Sequence, residues 1–271
     1  MIVTSVAVAN EAEKLMTSSR TSLRRILLLA VLALSLVALI VIAPAPPPAA
    51  ASTSSWGSGT LTDAELWNLI GQMTLAEKSL MIRGSSDTTC ATANISPSVP
   101  GCPGQAGTVA GVARLGIPPL RLTDGPAGIR LSGNYNTALP APVGLAASFS
   151  RENAYNFGLV MGKEGRATNQ DVLLAPMINQ VSFPTAGRNF ETLGEDPFVL
   201  AELLVPQVEG MQDHGLIATL KHFTMNDFEN NRMSTSVAVD EQTLYEGEMQ
   251  AFEAGVKAGA GAIMCSYNRI N

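Results

Sequence analysis

Short apolar runs alternate with amphipathic segments along the chain from about residue 60 onward. The apolar runs predict strands at 119–123, 143–147, 172–175, 217–220 and 262–265. Between them, apolar residues recur at helical spacing over 150–161, 198–208 and 244–256. Strands that are apolar throughout and that alternate with helices are typical of a parallel sheet covered on both faces.

This alternation predicts an α/β fold of the (β/α)8-type TIM-barrel class. No Gly-x-Gly-x-x-Gly follows the first predicted strand, which argues against a dinucleotide-binding sheet. A closed barrel has about eight strands in about 250 residues. The sequence offers five candidates. We therefore expect residues 52–271 to form one barrel domain that is incomplete at the C-terminal end.

The segment before the first predicted strand carries a helix signal and a loop signal. Thr74 and Glu77 have the spacing of a capping box, which predicts that a helix begins after Thr74. Residues 85–111 are rich in Gly, Pro, Ser and Thr, and they predict a long loop.

Residues 1–51 have the pattern of an export signal rather than of a folded domain. Arg24 and Arg25 precede the apolar stretch 26–43, and a segment rich in Pro and Ala follows it. This order is typical of a secretory signal peptide with a cleavage zone of small residues. A stretch of this length is also at the lower limit for a membrane span, so a retained N-terminal anchor is the alternative. We expect a secreted, extracellular protein, or a membrane-anchored, outward-facing one if the segment is kept.

Composition narrows the class of partner. The formal net charge is −6, which argues against nucleic acid and against an anionic membrane surface. The two histidines and three cysteines show no zinc-site spacing, so no metal and no organic cofactor is implied. An acidic protein of this kind fits a neutral small-molecule partner.

Export would permit a disulfide. Cys90 and Cys102 flank a loop and are candidates to pair, whereas Cys265 stands in an apolar run and is expected to be a buried free thiol. Three unpaired thiols are the alternative.

Polar side chains stand just after the predicted strands, where the carboxyl ends of parallel strands meet and ligands bind. These candidate site residues are Asp124, Arg188, Lys221, His222, Arg232 and Tyr267. Such a set offers many hydrogen-bond donors, a carboxylate and no apolar slot, which suits a ligand covered in hydroxyl groups.

Each of these residues alone also has an ordinary structural explanation. Asp124 opens an Asp-Gly-Pro turn. Arg188 has Glu191 and Glu195 as neighbouring ion-pair partners, and Glu229 has Arg232 and Lys221. Their shared position after successive strands is what favours a polyol-binding site.

Several segments, in matching order, resemble glycoside hydrolase family 3. These are Arg-Leu-Thr-Asp-Gly-Pro-Ala-Gly-Ile-Arg at 121–130, Gly-Arg-Asn-Phe-Glu with Gly-Glu-Asp-Pro at 187–197, Lys-His-Phe with Asn, Glu and Arg at 221–232, Asp-Glu-Gln-Thr-Leu at 240–244, and Ser-Tyr-Asn at 266–268. The resemblance covers roughly residues 60–271. It implies a β/α barrel as the N-terminal domain of a retaining glycosidase that acts on terminal β-D-glucosides or related β-glycosides.

The resemblance also implies roles for the candidate residues. Asp124 would bind the distal hydroxyls of the nonreducing sugar. The rest of that subsite would be formed by Arg188, Lys221, His222, Arg232 and Tyr267. Lys221-His222-Phe223 continues without a second histidine, which favours the β-glucosidase or β-xylosidase branch over the N-acetylglucosaminidase branch. Residues 179–186 depart from the Arg-Asp-Pro-Arg-Trp-like stretch of many relatives, which affects the register of Arg188.

The groups that break the glycosidic bond are expected elsewhere. In the family, the Asp nucleophile stands in a Ser-Asp-Trp-like segment one strand beyond Ser-Tyr-Asn, and the acid/base of β-glucosidase-like members comes from a following α/β domain. We expect both beyond Asn271 and expect the present chain alone to be inactive. Asp124, Asp227 and Glu229 are the alternative nucleophiles, and we expect none of them to act as one.

The predicted partners are therefore a small-molecule or oligosaccharide β-glycoside and the C-terminal α/β domain of the same protein. The alternative is a protein that binds glycans without cleaving them, or a decayed gene product.

Overall fold

Four parallel strands form the centre of the fold in a computed structural model that describes residues 61–85, 106–131 and 136–271. The strands are β1 (Gly84–Ser85), β2 (Gly107–Val109), β3 (Leu120–Asp124), β4 (Val172–Leu174), β5 (Ile217–Phe223), β6 (Ser236–Val237), β7 (Ala262–Cys265) and β8 (Arg269–Ile270). The main sheet runs in the order β1-β2-β3-β4-β5-β7, and β6 pairs with β8 separately. The pairings β1–β2 and β2–β3 are antiparallel, and the others in this sheet are parallel.

Two helices, α1 (Asp63–Gln72) and α2 (Leu75–Met81), precede the sheet in the chain. The helices that separate the parallel strands are α3 (Pro142–Ala146), α4 (Arg151–Ala167), α5 (Pro197–Gln212), α6 (Glu241–Thr243) and α7 (Met249–Lys257). A π-helical turn over Leu244–Glu248 joins α6 to α7. Neighbouring strands in the sheet follow one another along the chain, as in a β/α barrel, and the curled sheet forms part of such a barrel.

Most of the predicted elements are confirmed. The strands predicted at 119–123, 172–175, 217–220 and 262–265 are present, as are the helices predicted from 150 and over 198–208. The capping box at Thr74 is also present, since its side chain accepts from the backbone N–H of Glu77 and the Glu77 carboxylate accepts from Thr74.

The strand predicted at 143–147 is wrong, because residues 142–146 form helix α3. A short apolar run does not distinguish a strand from a buried helix by its pattern. The signal for the helix was Pro142, which occupies the first turn, where its missing N–H costs nothing. The helix predicted over 244–256 begins as the π turn and becomes α-helical only at Met249.

Three predictions concern segments that are wholly or partly outside the described residues. The export segment and the Cys90–Cys102 pair lie outside them. Within the predicted loop 85–111, residues 107–109 form β2, so that part of the prediction is wrong. In the ranges that the structure describes, no helix has both the length and the apolar character that a membrane span needs.

Cys265 is exposed, so its predicted burial is wrong. It ends β7, whose residues alternate between half-buried and exposed and which pairs with β5 along one side. The thiol is free, as predicted.

The core lies between the sheet and the pair of helices α4 and α5. Leu173 and Leu220 of the sheet, together with Met161 and Leu204 of the helices, are fully buried there. The two helices approach until their backbones touch, because a Cβ on Gly158 would overlap the carbonyl oxygen of Gln207. This close approach leaves no room for a side chain at the crossing point.

We expect Gly158→Ala to destabilise the protein by about 1–3 kcal/mol, since an overpacked contact against backbone cannot be relieved by a rotamer change. The matched control is Gly144→Ala in α3, where an added Cβ meets nothing within 4 Å. Urea unfolding followed by circular dichroism measures both. Equal midpoints for Gly158→Ala and the unmodified protein would contradict the close helix contact.

Candidate active site

The predicted site residues all lie at the carboxyl end of the parallel sheet. Asp124 is the last residue of β3, and Lys221 and His222 stand near the end of β5. Arg188 lies in the loop that follows β4, Arg232 in the loop that follows β5, and Tyr267 just after β7. The parallel register of these strands is what brings residues so distant in the chain to one edge.

Arg188 links several groups of the site. Its Nε and Nη2 donate to the two carboxylate oxygens of Glu191 at 3.0 and 2.6 Å, and its Nη1 lies 3.6 Å from Glu229 Oε1. Burial lowers the pKa of Arg188, but hydrogen bonding to Glu191 and the nearby carboxylates outweigh it and raise this pKa above its ordinary value. The Arg188–Glu191 pairing is one of the structural explanations given above, and it is confirmed.

Lys221 is a buried cation held at the centre of the site. Burial lowers its pKa to about 8, and the positive charge of Arg188 adds to this shift. The carboxylates of Glu191 and Asp124 act on the pKa in the opposite direction, so both lie within electrostatic reach of the ammonium group. The Lys221 ammonium group is therefore a hydrogen-bond donor, and the carboxylates of Glu191 and Asp124 favour its charged form.

His222 is buried and bonded at both ring nitrogens. Its Nε2 lies 3.2 Å from Arg188 Nη1, and its Nδ1 lies 3.2 Å from Asn179 Oδ1. Burial, followed by the positive charges of Arg188, Lys221 and Arg232, lowers the pKa of His222 to about 3. The imidazole is therefore uncharged at neutral pH.

Arg232 and Tyr267 form the side of the site next to β7. The Arg232 guanidinium lies 4.8 Å from the centre of the Tyr267 ring and donates to Glu229 Oε2 at 2.6 Å. A cation over an aromatic face is attracted by the quadrupole of the ring. Asn226 donates to the other Glu229 oxygen at 3.1 Å, so Glu229 is occupied by structural partners, as predicted.

The Asp124 side chain is more exposed to solvent than those of Glu191 and Glu229, the other carboxylates of the site. It is 40% exposed and lies 4.0 Å from Arg130, which is more exposed still. A cleft of about 460 Å³ lies beside it, lined by residues 125–131 and 136–138 with Phe190 and Glu191. Asp124 is therefore accessible to a ligand.

Sequence reasoning missed two buried polar residues behind the site, Asn179 and Glu248. Glu248 accepts hydrogen bonds from the Gln180 backbone, the Thr224 hydroxyl and Asn179. A signal for it existed: Glu248 stands between Leu244 and Phe252 at a spacing of four residues, on the apolar face of the predicted helix. A carboxylate at such a position needs buried partners.

Asp227 also lies behind the site and is buried. Burial raises its pKa to about 8, and the neighbouring Glu248 adds to the shift, while a hydrogen bond from Ser182 opposes it. Asp227 is therefore harder to ionise than an exposed aspartate. Across the described ranges, no three His, Cys, Asp or Glu side chains are grouped so that they could hold a metal ion.

The curled parallel sheet and the polar site at its carboxyl end define a protein of the β/α-barrel class with a candidate ligand site at the usual edge of the sheet. The profile of the glycosyl hydrolase family 3 N terminal domain matches residues 104–271. The chain belongs to this family, which confirms the resemblance given above.

Curated relatives include two bacterial enzymes. Beta-glucosidase BoGH3A of Bacteroides ovatus is 40% identical over 186 residues, which cover 64% of this chain and 24% of that protein. Thermostable beta-glucosidase B of Acetivibrio thermocellus is 40% identical over 172 residues, which cover 59% of this chain and 23% of that protein. The chain thus spans about a quarter of the length of these relatives.

Solved structures show the same fold. DesR, a beta-glucosidase from Streptomyces venezuelae in complex with D-glucose, has 48% identity and a TM-score of 0.67, covering 75% of this chain and 24% of that one. Beta-glucosidase 3B from Thermotoga neapolitana in complex with glucose has 35% identity and a TM-score of 0.69, covering 76% of this chain and 30% of that one.

Because the pKa of His222 is lower in the folded than in the unfolded chain, the free energy of unfolding falls as the pH is lowered. As the pH drops below 6.5, the unfolded chain takes up a proton on this residue and the folded chain does not, until about pH 3. We expect the free energy of unfolding to fall by up to about 1.4 kcal/mol for each pH unit below this point. The variant His222→Gln should lack this contribution to the pH dependence of stability.

Urea unfolding of the unmodified protein, His222→Gln and the control His214→Gln between pH 7 and pH 5 measures this effect. The His214→Gln variant controls for the general effect of replacing a histidine by glutamine. Parallel losses of stability in the unmodified protein and His222→Gln would contradict the buried, uncharged imidazole.

Proposed function

We propose that this site binds the nonreducing sugar of a β-glycoside, as part of a retaining β-glycosidase that hydrolyses terminal β-D-glucosides or related β-glycosides. The observation that carries the proposal is the meeting of an accessible carboxylate, Asp124, with the buried donor Lys221 and the half-buried donor Arg188 at one edge of the sheet. Membership of family 3 and relatives named as beta-glucosidases support it.

The chemistry of the site suits hydroxyl groups. Asp124 accepts hydrogen bonds from two neighbouring hydroxyls, while Lys221, Arg188 and Arg232 donate to sugar oxygens. Tyr267 adds a ring face and a hydroxyl at the rim. A site built from charged partners discriminates strongly, because a missing hydroxyl leaves a buried polar group unpaired.

The nucleophile and the acid/base of this proposed enzyme are supplied by parts of the protein other than residues 1–271. A retaining mechanism needs an ionised carboxylate that is free to attack the anomeric carbon. Asp227 is buried with a raised pKa, and Glu191 and Glu229 are bound to arginines. Asp124, the open carboxylate, is assigned to sugar binding, and the C-terminal α/β domain of the same protein completes the site.

The export pattern of residues 24–51 supports a further part of the proposal, that the enzyme acts outside the cell. Neutral glycosides and an acidic protein surface are compatible with this location. A retained apolar segment 26–43 would instead tether the enzyme to the outer face of the membrane. N-terminal sequencing of protein from the culture medium decides between them, and an intact residue 26 would contradict cleavage.

We expect Asp124→Asn to weaken D-glucose binding by about tenfold or more, because hydrogen bonds to a charged group contribute about 1.5–3 kcal/mol. Isothermal titration calorimetry measures this. The matched control is Asp213→Asn. Asp213 follows α5 and precedes the amino end of β5, and it accepts from the Tyr155 hydroxyl at 3.0 Å. Equal affinities for Asp124→Asn and the unmodified protein would exclude Asp124 from the sugar site.

We expect no hydrolysis of an aryl β-glucoside by residues 1–271 alone, and hydrolysis with retention of configuration by the complete protein. Release of the aryl group and NMR of the product anomer measure both. Turnover by residues 1–271 that Asp124→Ala abolishes would contradict the placement of the nucleophile elsewhere. Glucose binding without hydrolysis by the complete protein would instead favour a glycan-binding protein.

A further inference from the structure

A chain of hydrogen bonds runs from Arg188 at the site to Glu248 behind it. Arg188 Nη1 lies 3.2 Å from His222 Nε2, and His222 Nδ1 lies 3.2 Å from Asn179 Oδ1. Asn179 Nδ2 then donates to Glu248 Oε2 at 3.2 Å. Except for partly exposed Arg188, every member is buried, so each polar atom must find a partner within the protein.

The backbone of His222 fixes the orientation of the Asn179 amide. The His222 N–H only donates, so the Asn179 atom 2.8 Å from it is the carbonyl oxygen Oδ1. The His222 carbonyl only accepts, so the Asn179 atom 2.9 Å from it is Nδ2. These two contacts leave a single orientation, with Oδ1 against the imidazole and Nδ2 toward Glu248.

Glu248 holds Asn179 in this orientation from the other side. Its carboxylate also accepts from the Gln180 backbone N–H at 2.6 Å and from the Thr224 hydroxyl at 3.2 Å. A flipped Asn179 amide would place its oxygen against this carboxylate and against the His222 carbonyl. Both contacts would then join two acceptors, which is unfavourable in a buried position.

The orientation of Asn179 determines which nitrogen of His222 carries the proton. Asn179 Oδ1 only accepts, so the Nδ1 atom 3.2 Å away must be protonated. Arg188 only donates, so Nε2 must be the nitrogen with the lone pair. Two independent partners, one on each side of the ring, therefore require the same tautomer.

We propose that Asn179, held by Glu248, is the positioning residue that fixes His222 in the tautomer protonated on Nδ1, so that Nε2 is presented to the sugar site as a hydrogen-bond acceptor. The single lone pair of Nε2 accepts from Arg188 in this structure, and a sugar hydroxyl that donates to it displaces Arg188 Nη1. The part that concerns the sugar rests on the proposed function, whereas the tautomer does not.

This assignment changes the chemistry expected of the site. Lys221, Arg188 and Arg232 all donate, so His222 joins Asp124 as an acceptor. A sugar hydroxyl beside His222 must then direct its hydrogen toward Nε2. An analogue with fluorine in place of that hydroxyl cannot donate and loses this contact.

The test is a long-range ¹H–¹⁵N correlation spectrum of the full chain labelled with ¹⁵N-histidine at pH 7. The sequence holds only two histidines, so His214→Gln assigns the signals of His222. We expect a protonated, pyrrole-type Nδ1 and a pyridine-type Nε2. A pyrrole-type Nε2 or a charged imidazolium would overturn the proposal.

A matched pair of substitutions tests the role of Asn179. Asn179→Gln keeps an amide oxygen to accept from Nδ1 and an amide nitrogen to donate to Glu248, and should keep the Nδ1-protonated tautomer. Asn179→Leu removes that acceptor at similar volume and leaves a buried Nδ1–H without a partner. We expect the imidazole to leave its position beside Arg188 and the single-tautomer pattern to be lost. An unchanged pattern in Asn179→Leu would overturn the role of Asn179. The spectrum of the unmodified chain tests the tautomer without any substitution, even where a variant does not fold.

Addition of D-glucose separates this inference from the proposed function. We expect the His222 Nε2 signal to shift as the sugar hydroxyl takes the lone pair. A pyridine-type Nε2 that does not respond to glucose supports the tautomer and contradicts the sugar-binding role of His222.

Discussion

The burial of polar residues at the end of β5 is the constraint on which the rest of the site depends. Lys221 and His222 belong to a strand that is buried along nearly its whole length. Such groups are costly to remove from water unless partners surround them. Arg188 and Asn179 bond to His222, while Asp124 and Glu191 offset the burial of Lys221. The end of β3 and the loop after β4 supply these partners.

The same elements serve the core and the site. Phe252 of α7 is buried and packs edge-to-face on Phe223, with ring centres 5.1 Å apart. Glu248, one turn earlier, reaches Asn179 behind the site. The apolar and polar contacts of this segment therefore fix β5 together, and the side chains of the candidate site are positioned before any ligand arrives. Preorganisation of this kind lowers the cost of ordering the site on binding.

Much of the fold and the position of the site could be predicted from the sequence. Apolar runs located four parallel strands, because a strand covered on both faces must be apolar throughout. Since parallel strands share one carboxyl edge, the polar residues after them were expected to meet. The helix at 142–146 was missed, because five apolar residues fit either element. The exposure of Cys265 was missed because its sequence does not show how β7 is covered.

The hydrogen-bond chain behind the site could not be predicted in the same way. Asn179 and Glu248 are 69 residues apart in the sequence, and their contact depends on where the π turn places one carboxylate. The Lys-His-Phe segment indicated two site residues but not the tautomer of His222, which only the partners on both sides of its ring determine. The local sequence pattern predicts each helix or strand. The tautomer and the hydrogen bonds of a side chain depend instead on how elements that are distant in the sequence pack together.

We propose that Asp124, Lys221 and their neighbours bind the nonreducing sugar, and a crystal structure of the complete protein with D-glucose would show the contacts themselves. We expect sugar hydroxyls within hydrogen-bond distance of the Asp124 carboxylate, the Lys221 ammonium group and His222 Nε2. Glucose bound elsewhere, with these three groups in contact only with protein and water, would contradict it.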